Sequence, residues 1–211
     1  FGYKRFSANA LFLIMVQQHF ILAFLWILFC VLHSLLASVS IKQKLATAMR
    51  SRFKHYRLLY TLFAFATLGV VIYYQINMDS PLIFNPSTLS YIIGIAVALA
   101  GLVIMAVCIK KYFLSLSGLK SLFQESPTNS LMLNGIHRFV RHPLYAGTFM
   151  AIWGALIVLP LLSILIANFI ITMYTLIGIT LEEKKLEAEF GDAYKIYKQK
   201  VPKLFPALRS K

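Results

Sequence analysis

Long apolar runs separated by short polar clusters set the architecture of this chain. Five of them hold close to the ~20 residues that cross a bilayer as a helix: residues 20–38, 58–76, 86–109, 143–159 and 161–181. The third lies within Leu82–Ile109, longer than a bilayer needs, so it is either tilted or starts after Pro86. Gly94 and Gly101 in that run are places where a second helix can approach closely. Between Arg141 and Glu182 there is no Asp, Glu, Lys or Arg, and Pro160 falls near the middle. Two apolar helices meeting at Pro160 return both flanking polar clusters to one face. The predicted fold is all-α and integral to the membrane. It has five transmembrane helices, a C-terminal helical hairpin and a cytosolic C-terminal helix, all within one membrane-embedded domain, residues 1–211.

Composition supports this reading. The chain is 59% hydrophobic and 13% charged, with a mean hydropathy of +0.74. A soluble domain is closer to 45–50% apolar and ~25% charged. The net charge of +14 does not point to nucleic acid, because the basic residues cluster between apolar runs, where they meet anionic lipid headgroups. Six bases lie between the first two runs, five between the third and fourth counting Arg141, and eight in the tail, whereas the Asp79 and Pro160 turns carry none. Five crossings put all three basic segments on one side, which the positive-inside rule makes cytoplasmic, with the N-terminus outside. Lys4, Arg5 and the run Ala10–Val16 are a weak signal-peptide signature, and Met15 stands as an alternative start. Cys30 and Cys108 lie in apolar runs and read as buried thiols rather than a disulfide.

Candidate chemistry gathers at the two ends of the hairpin. Pro143 suits the first position of a helix, where its missing N–H has no partner to lose. The free N–H groups of that helix start, with Arg138, Arg141 and His142 beside it, suit an anionic group. Tyr145 stands further along, and Gly147 removes a side chain where something can approach. Glu182 and Glu183 close the last run at a helix end that disfavours negative charge. Their offset is either the arginines across the hairpin, a cationic ligand, or lysines such as Lys184, Lys185 and those of the tail. Equally, the arginines and Tyr145 fit a plain membrane-border cluster. An anion pocket opposite a carboxylate pair would hold a zwitterionic cofactor. His33 either lines an acceptor pocket or packs at a helix end. Gly118 is either a loop turn or a point of close backbone approach. His137 reads as a surface residue. No His, Cys, Asp and Glu spacing supports a metal site.

Several of these stretches carry a resemblance. Arg141-His142-Pro143-Leu144-Tyr145-Ala146-Gly147, followed one hairpin later by Glu182-Glu183, resembles the integral-membrane methyltransferases. That superfamily includes isoprenylcysteine carboxyl methyltransferase and the phospholipid methyltransferases. The ending Phe190-Gly191-Asp192-Ala193-Tyr194-Lys195-Ile196-Tyr197, then Val201-Pro202, is similar as well. Leu32-His33-Ser34, Arg57-Leu58-Leu59-Tyr60 and Ser117-Gly118-Leu119-Lys120 resemble the methanethiol S-methyltransferase and NnrU-like branch. The resemblance covers residues 20–206.

It implies a cytosolic-facing S-adenosylmethionine site, with S-adenosylhomocysteine as product. Arg141, His142, Pro143, Tyr145, Gly147, Glu182 and Glu183 are its implied cofactor contacts; Gly118, if not a loop turn, is a candidate for a further one. The implied acceptor is a small thiol such as methanethiol, or a lipid-like molecule methylated on oxygen or nitrogen. A nearby cation would favour the thiolate: Arg138 and Arg141 can supply it, as can His33 when protonated. A non-catalytic NnrU-like membrane subunit and a nicotinamide-dependent reductase are the competing members of the wider group. A transporter fits less well, because charges are absent from the middle of every run and no paired broken helices occur.

Overall fold

The computed structural model describes residues 8–116, 131 and 133–206. Their regular structure is helical: α1 Ala8–Ala37, α2 Val39–Met49, α3 Tyr56–Asn77, α4 Thr88–Leu116, α5 Pro143–Val158, α6 Leu162–Phe190 and α7 Asp192–Lys200, with 3₁₀ turns at Arg50–His55 and Gly135–Arg138. Four stretches are long and apolar enough to cross a membrane, Asn9–Ala37, Phe53–Asn77, Thr88–Lys110 and Leu162–Phe190. Pro143–Val158 is apolar but only 16 residues long, about 24 Å of helix. Large apolar side chains point outward along these helices, Tyr73 at 72% and Ile76 at 76% exposure among them. A water-soluble surface does not carry such a belt; this is a multi-pass membrane protein.

The centre of each apolar run is helical, and the helix ends differ from the run ends. Helix α1 begins well before Phe20, and His19 and the Gln18 carbonyl in that extension find partners. His19 bonds to Met15 O and Ser80 Oγ, and Gln18 O accepts from the Tyr74 hydroxyl. Helix α6 continues nine residues past Leu181, since Glu182–Phe190 keeps mixed charge and apolar residues at helical spacing.

The chain forms two compact units. The first comprises the chain up to Asn85 with Leu159–Ile171. Leu22, Trp26, Val71, Met78 and Ala167 are its buried core. Side-chain hydrogen bonds join α1 to α3. Trp26 Nε1 donates to Gln75 Oε1 at 2.9 Å, the Tyr56 hydroxyl donates to Leu36 O at 2.6 Å, and the Tyr60 hydroxyl meets the His33 ring at 2.9 Å. Polar ties of this kind hold helices together where no water competes. The Asp79 and Pro160 turns lie side by side. Ile83 N donates to Pro160 O at 2.7 Å and Leu162 N to Pro81 O at 3.0 Å, around an isolated bridge between Leu82 and Leu161.

The second unit comprises Pro86–Val158 and the chain from Thr172 onward. Here α4 and α5 pack through small residues, as Gly94 and Gly101 led us to expect. A Cβ added at Gly101 would stand 2.5 Å from Gly147 O and Ala151 N, and one at Gly154 would stand 2.5 Å from Ala98 N. The two backbones therefore touch, and α5 is fixed in place along its length. Trp153 Nε1 donates to Thr172 Oγ1 at 3.1 Å, tying α5 to α6. Gly191, at φ +54°, supplies the left-handed turn from α6 into α7 that other residues rarely adopt.

Candidate functional site

Pro143 opens α5, and His142 O accepts the first helical bond, from Ala146 N at 3.0 Å. The tail returns to this point. Arg141 N donates to Pro202 O at 2.9 Å and His142 N to Lys203 O at 3.0 Å. The Arg141 guanidinium is almost fully used. Its Nε and Nη2 reach Glu183 Oε1 at 2.9 and 2.8 Å, and Nη1 donates to Lys198 O and Val201 O. Glu183 Oε1 also accepts from His142 Nε2 at 3.1 Å. Because a carboxylate only accepts, that nitrogen carries the proton. Lys203 and Lys198 stand 3.6 and 3.8 Å from Glu183 Oε2. Glu183 is 4% exposed. Its offset is thus the arginine across the hairpin, joined by tail lysines.

One residue earlier the environment changes. Successive helical positions point about 100° apart. Glu182 therefore points away from Arg141 and toward the other side of His142, with its side chain 45% exposed. Its Oε2 accepts from the Tyr145 hydroxyl at 3.2 Å and lies 3.8 Å from His142 Nδ1. The Tyr145 and His142 rings stack at 5.7 Å.

Glu182 and Tyr145 open onto a cavity of about 340 Å³ within the second unit, a size in the usual small-molecule range of ~300–1,000 Å³. Arg141, His142, Pro143, Tyr145 and Glu182 line its polar side, while Cys108, Leu131, Leu144, Leu186, Phe190, Tyr194 and Tyr197 make an apolar and aromatic wall. His137 also lines it. Contrary to the surface position expected for it, this histidine is half-buried. The Tyr197 hydroxyl donates to its carbonyl at 2.7 Å, and its ring bonds to Arg141 O at 3.1 Å. Tyr194 is 1% exposed. Burial, then the Glu183 carboxylate, pushes its phenol up to about 12 despite the opposing Arg141 charge.

The motif residues of the sequence thus fall into three groups. Arg141, His142, Pro143, Tyr145 and Glu182 meet at the cavity, and Glu183 braces two of them from behind. Gly147 is buried against Gly101 of α4, and Arg138 is exposed on the 3₁₀ turn leading into the motif. His33 belongs to the first unit, where its ring meets Tyr60. Gly118 lies outside the described residues. The tail tyrosines went unassigned at the sequence level. Their signal is the three-residue spacing of Tyr194 and Tyr197, which puts both on one face of α7.

A helical membrane protein with a polar-and-aromatic cavity at the start of a Pro-initiated helix is the class these features define. Comparison with known proteins narrows it. The family model for "NnrU protein" matches residues 21–207, and the chain belongs to that family. It is 42% identical over 77 residues to methanethiol S-methyltransferase 1 of Bradyrhizobium diazoefficiens, covering 36% of this chain and 26% of the relative. It is 38% identical over 77 residues to methanethiol S-methyltransferase of Crocosphaera subtropica, covering 36% and 29%. Over 79 residues it is 35% identical to protein-S-isoprenylcysteine O-methyltransferase of Schizosaccharomyces pombe, covering 37% and 34%. The chain therefore matches about a quarter to a third of the length of these relatives. No solved structure matches it.

Proposed function

We propose that this chain is an integral-membrane methyltransferase that takes S-adenosylmethionine in the cavity beside Arg141–Tyr145 and methylates a small thiol of the methanethiol kind, with S-adenosylhomocysteine as the second product. The observation that carries this reading is the convergence of Glu182, Tyr145 and an aromatic wall on one cavity, in a chain whose named relatives are methyltransferases. The donor set suits that cofactor. Glu182, half-exposed and held by Tyr145, can accept from ribose hydroxyls or pair with an ammonium. Leu186, Phe190 and Tyr197 can cover a flat heterocycle.

When bound, S-adenosylmethionine supplies a sulfonium methyl group, which moves in line as its C–S bond breaks and a bond to the acceptor sulfur forms. The protein's part is to align donor and acceptor and keep water out. The acceptor reacts as its thiolate. Arg138 and Arg141 are the proposed cations near the motif. Because Arg141 is committed to Glu183, Arg138 is the freer of the two to meet an anion.

Five crossings, with the N-terminus outside and the C-terminus cytoplasmic, complete the proposal. Support comes from the two base-free turns lying side by side and from the basic segments alternating with them. Helix α5, at 16 residues, spans with the help of the Leu159–Leu161 turn. Cysteines introduced at Asp79 and Lys200 should label from opposite faces; labelling of both from outside contradicts the topology.

Product analysis with labelled S-adenosylmethionine and methanethiol, a prenylcysteine analogue or phosphatidylethanolamine tests the acceptor. Transfer to a lipid-like acceptor alone ends the thiol assignment and leaves the methyltransferase reading standing. Cofactor binding without transfer to any of the three favours a non-catalytic member of the family. The short overlap with the named enzymes keeps that second reading open.

A further inference from the structure

Three tyrosines stand on the cavity wall, and their hydroxyls are not equivalent. Tyr145 donates to Glu182 and Tyr197 donates to His137 O. Tyr194 is among the most buried large side chains described, at 1% exposure, yet its hydroxyl has no hydrogen-bond partner among the described residues. Buried hydroxyls are nearly always satisfied, because leaving one dry and unpaired is unfavourable. Packing alone would be served as well by phenylalanine, which keeps the ring and its edge contact with Tyr197 at 5.9 Å. The oxygen therefore calls for a partner, and a cavity borders the residue that carries it.

We propose that Tyr194 is a ligand-contacting residue of this cavity, its hydroxyl donating to an uncharged acceptor on the heterocycle of a bound nucleoside cofactor. This rests on the reading of the cavity as an S-adenosylmethionine site and adds the residue that reads the base. Two features fix the chemistry of the acceptor. Burial and the neighbouring carboxylates Glu183 and Glu182 keep the phenol protonated, at about 12, so it acts as a donor. The same carboxylates disfavour an anionic acceptor beside it, and the Arg141 charge that could offset this is committed to Glu183. A ring nitrogen is neutral, lies in the plane of a flat group and accepts one hydrogen bond. The aromatic surfaces of Phe190 and Tyr197 on the same wall suit the faces of such a ring.

Tyr194→Phe separates this role from a structural one, because the two move apo stability and ligand affinity differently. Purified full-length protein and the variant are titrated with S-adenosylhomocysteine, adenosine and homocysteine, and both ligand-free proteins are melted in the same detergent. The variant should melt at the same temperature or higher, having lost an unpartnered polar atom. It should bind S-adenosylhomocysteine and adenosine roughly five- to tenfold more weakly, the loss of one hydrogen bond, with homocysteine unaffected. Unchanged S-adenosylhomocysteine affinity in the variant overturns the role of Tyr194 and leaves the cofactor site intact. A clearly lowered melting temperature overturns it as well, since the hydroxyl then serves the fold. A parent protein that binds neither S-adenosylhomocysteine nor adenosine overturns both this inference and the cofactor reading.

Discussion

Two histidines are buried to the same degree in this molecule, His19 at 7% and His142 at 6% exposure, and their surroundings have little in common. In the first unit, Ser163 N donates to Ser80 Oγ at 2.8 Å. The Ser80 hydroxyl faces His19 Nε2 at 3.1 Å, and His19 Nδ1 reaches Met15 O at 2.7 Å. These bonded partners are uncharged, and they pin the start of α6 and the Asp79 turn to α1. In the second unit, His142 sits between two carboxylates, beside Arg141, on the wall of a cavity. Burial and a hydrogen-bonded ring are common to both, although His19 bonds through both nitrogens and His142 through Nε2. What marks the second as a site is charge held near a void, with one carboxylate, Glu182, left half-exposed. A histidine in a neutral chain of hydrogen bonds serves the fold; one that shares its shell with a half-exposed carboxylate is, on the proposed reading, part of a ligand site.

The sharpest way to break this contrast is Glu183→Ala. It strips a buried Arg141 and His142 of their shared partner, and breaking one side of a buried ion pair costs about 3–5 kcal/mol. Unfolding in detergent should shift strongly toward lower temperature, with ligand binding lost as a consequence. Gly101→Leu comes next. Its Cβ would meet Gly147 O and Ala151 N at 2.5 Å, and forcing α4 from α5 costs about 1–3 kcal/mol. Unlike Glu183→Ala, it leaves every polar contact of the site in place, so a comparable loss of binding would show how far the helix seam positions Tyr145. Ser80→Ala interrupts the His19 chain and should cost about 1–2 kcal/mol. S-adenosylhomocysteine affinity measured on the folded variant should not change. Glu182→Gln should leave stability within about 0.5 kcal/mol, as exposed substitutions do, and act on the ligand alone.

Glu182 and Glu183 also show how far sequence carries the argument. The motif from Arg141 to Gly147 and the carboxylate pair were legible because an uncharged interval interrupted by Pro160 leaves few ways to fold. That the two carboxylates divide their work was not legible, since one step along a helix decides it and both residues are chemically identical. Tyr194 stood in one of the motifs that carry the resemblance, but its place on the cavity wall was not legible, for another reason. Its burial depends on the tail returning to the motif through Arg141 N–Pro202 O and His142 N–Lys203 O, long-range contacts that no local pattern announces. His137 was misplaced on the surface for the same reason, as Tyr197 from α7 covers it. Gly94 and Gly101 were readable as contact points because backbone approach requires small residues wherever it occurs. The extension of α1 through His19 was not, because the partner that meets the His19 ring, Ser80, lies far along the chain.

The central claim is that the cavity holds an S-adenosyl cofactor through Glu182 while Glu183 holds the framework. Calorimetric titration of S-adenosylhomocysteine into the purified protein and into Glu182→Gln tests it most directly. The expected result is saturable one-to-one binding by the parent protein. Affinity should be reduced about tenfold or more in the variant, the loss of a charge-assisted hydrogen bond, at an unchanged melting temperature. Equal affinity in the two proteins, or no binding by the parent, contradicts the account.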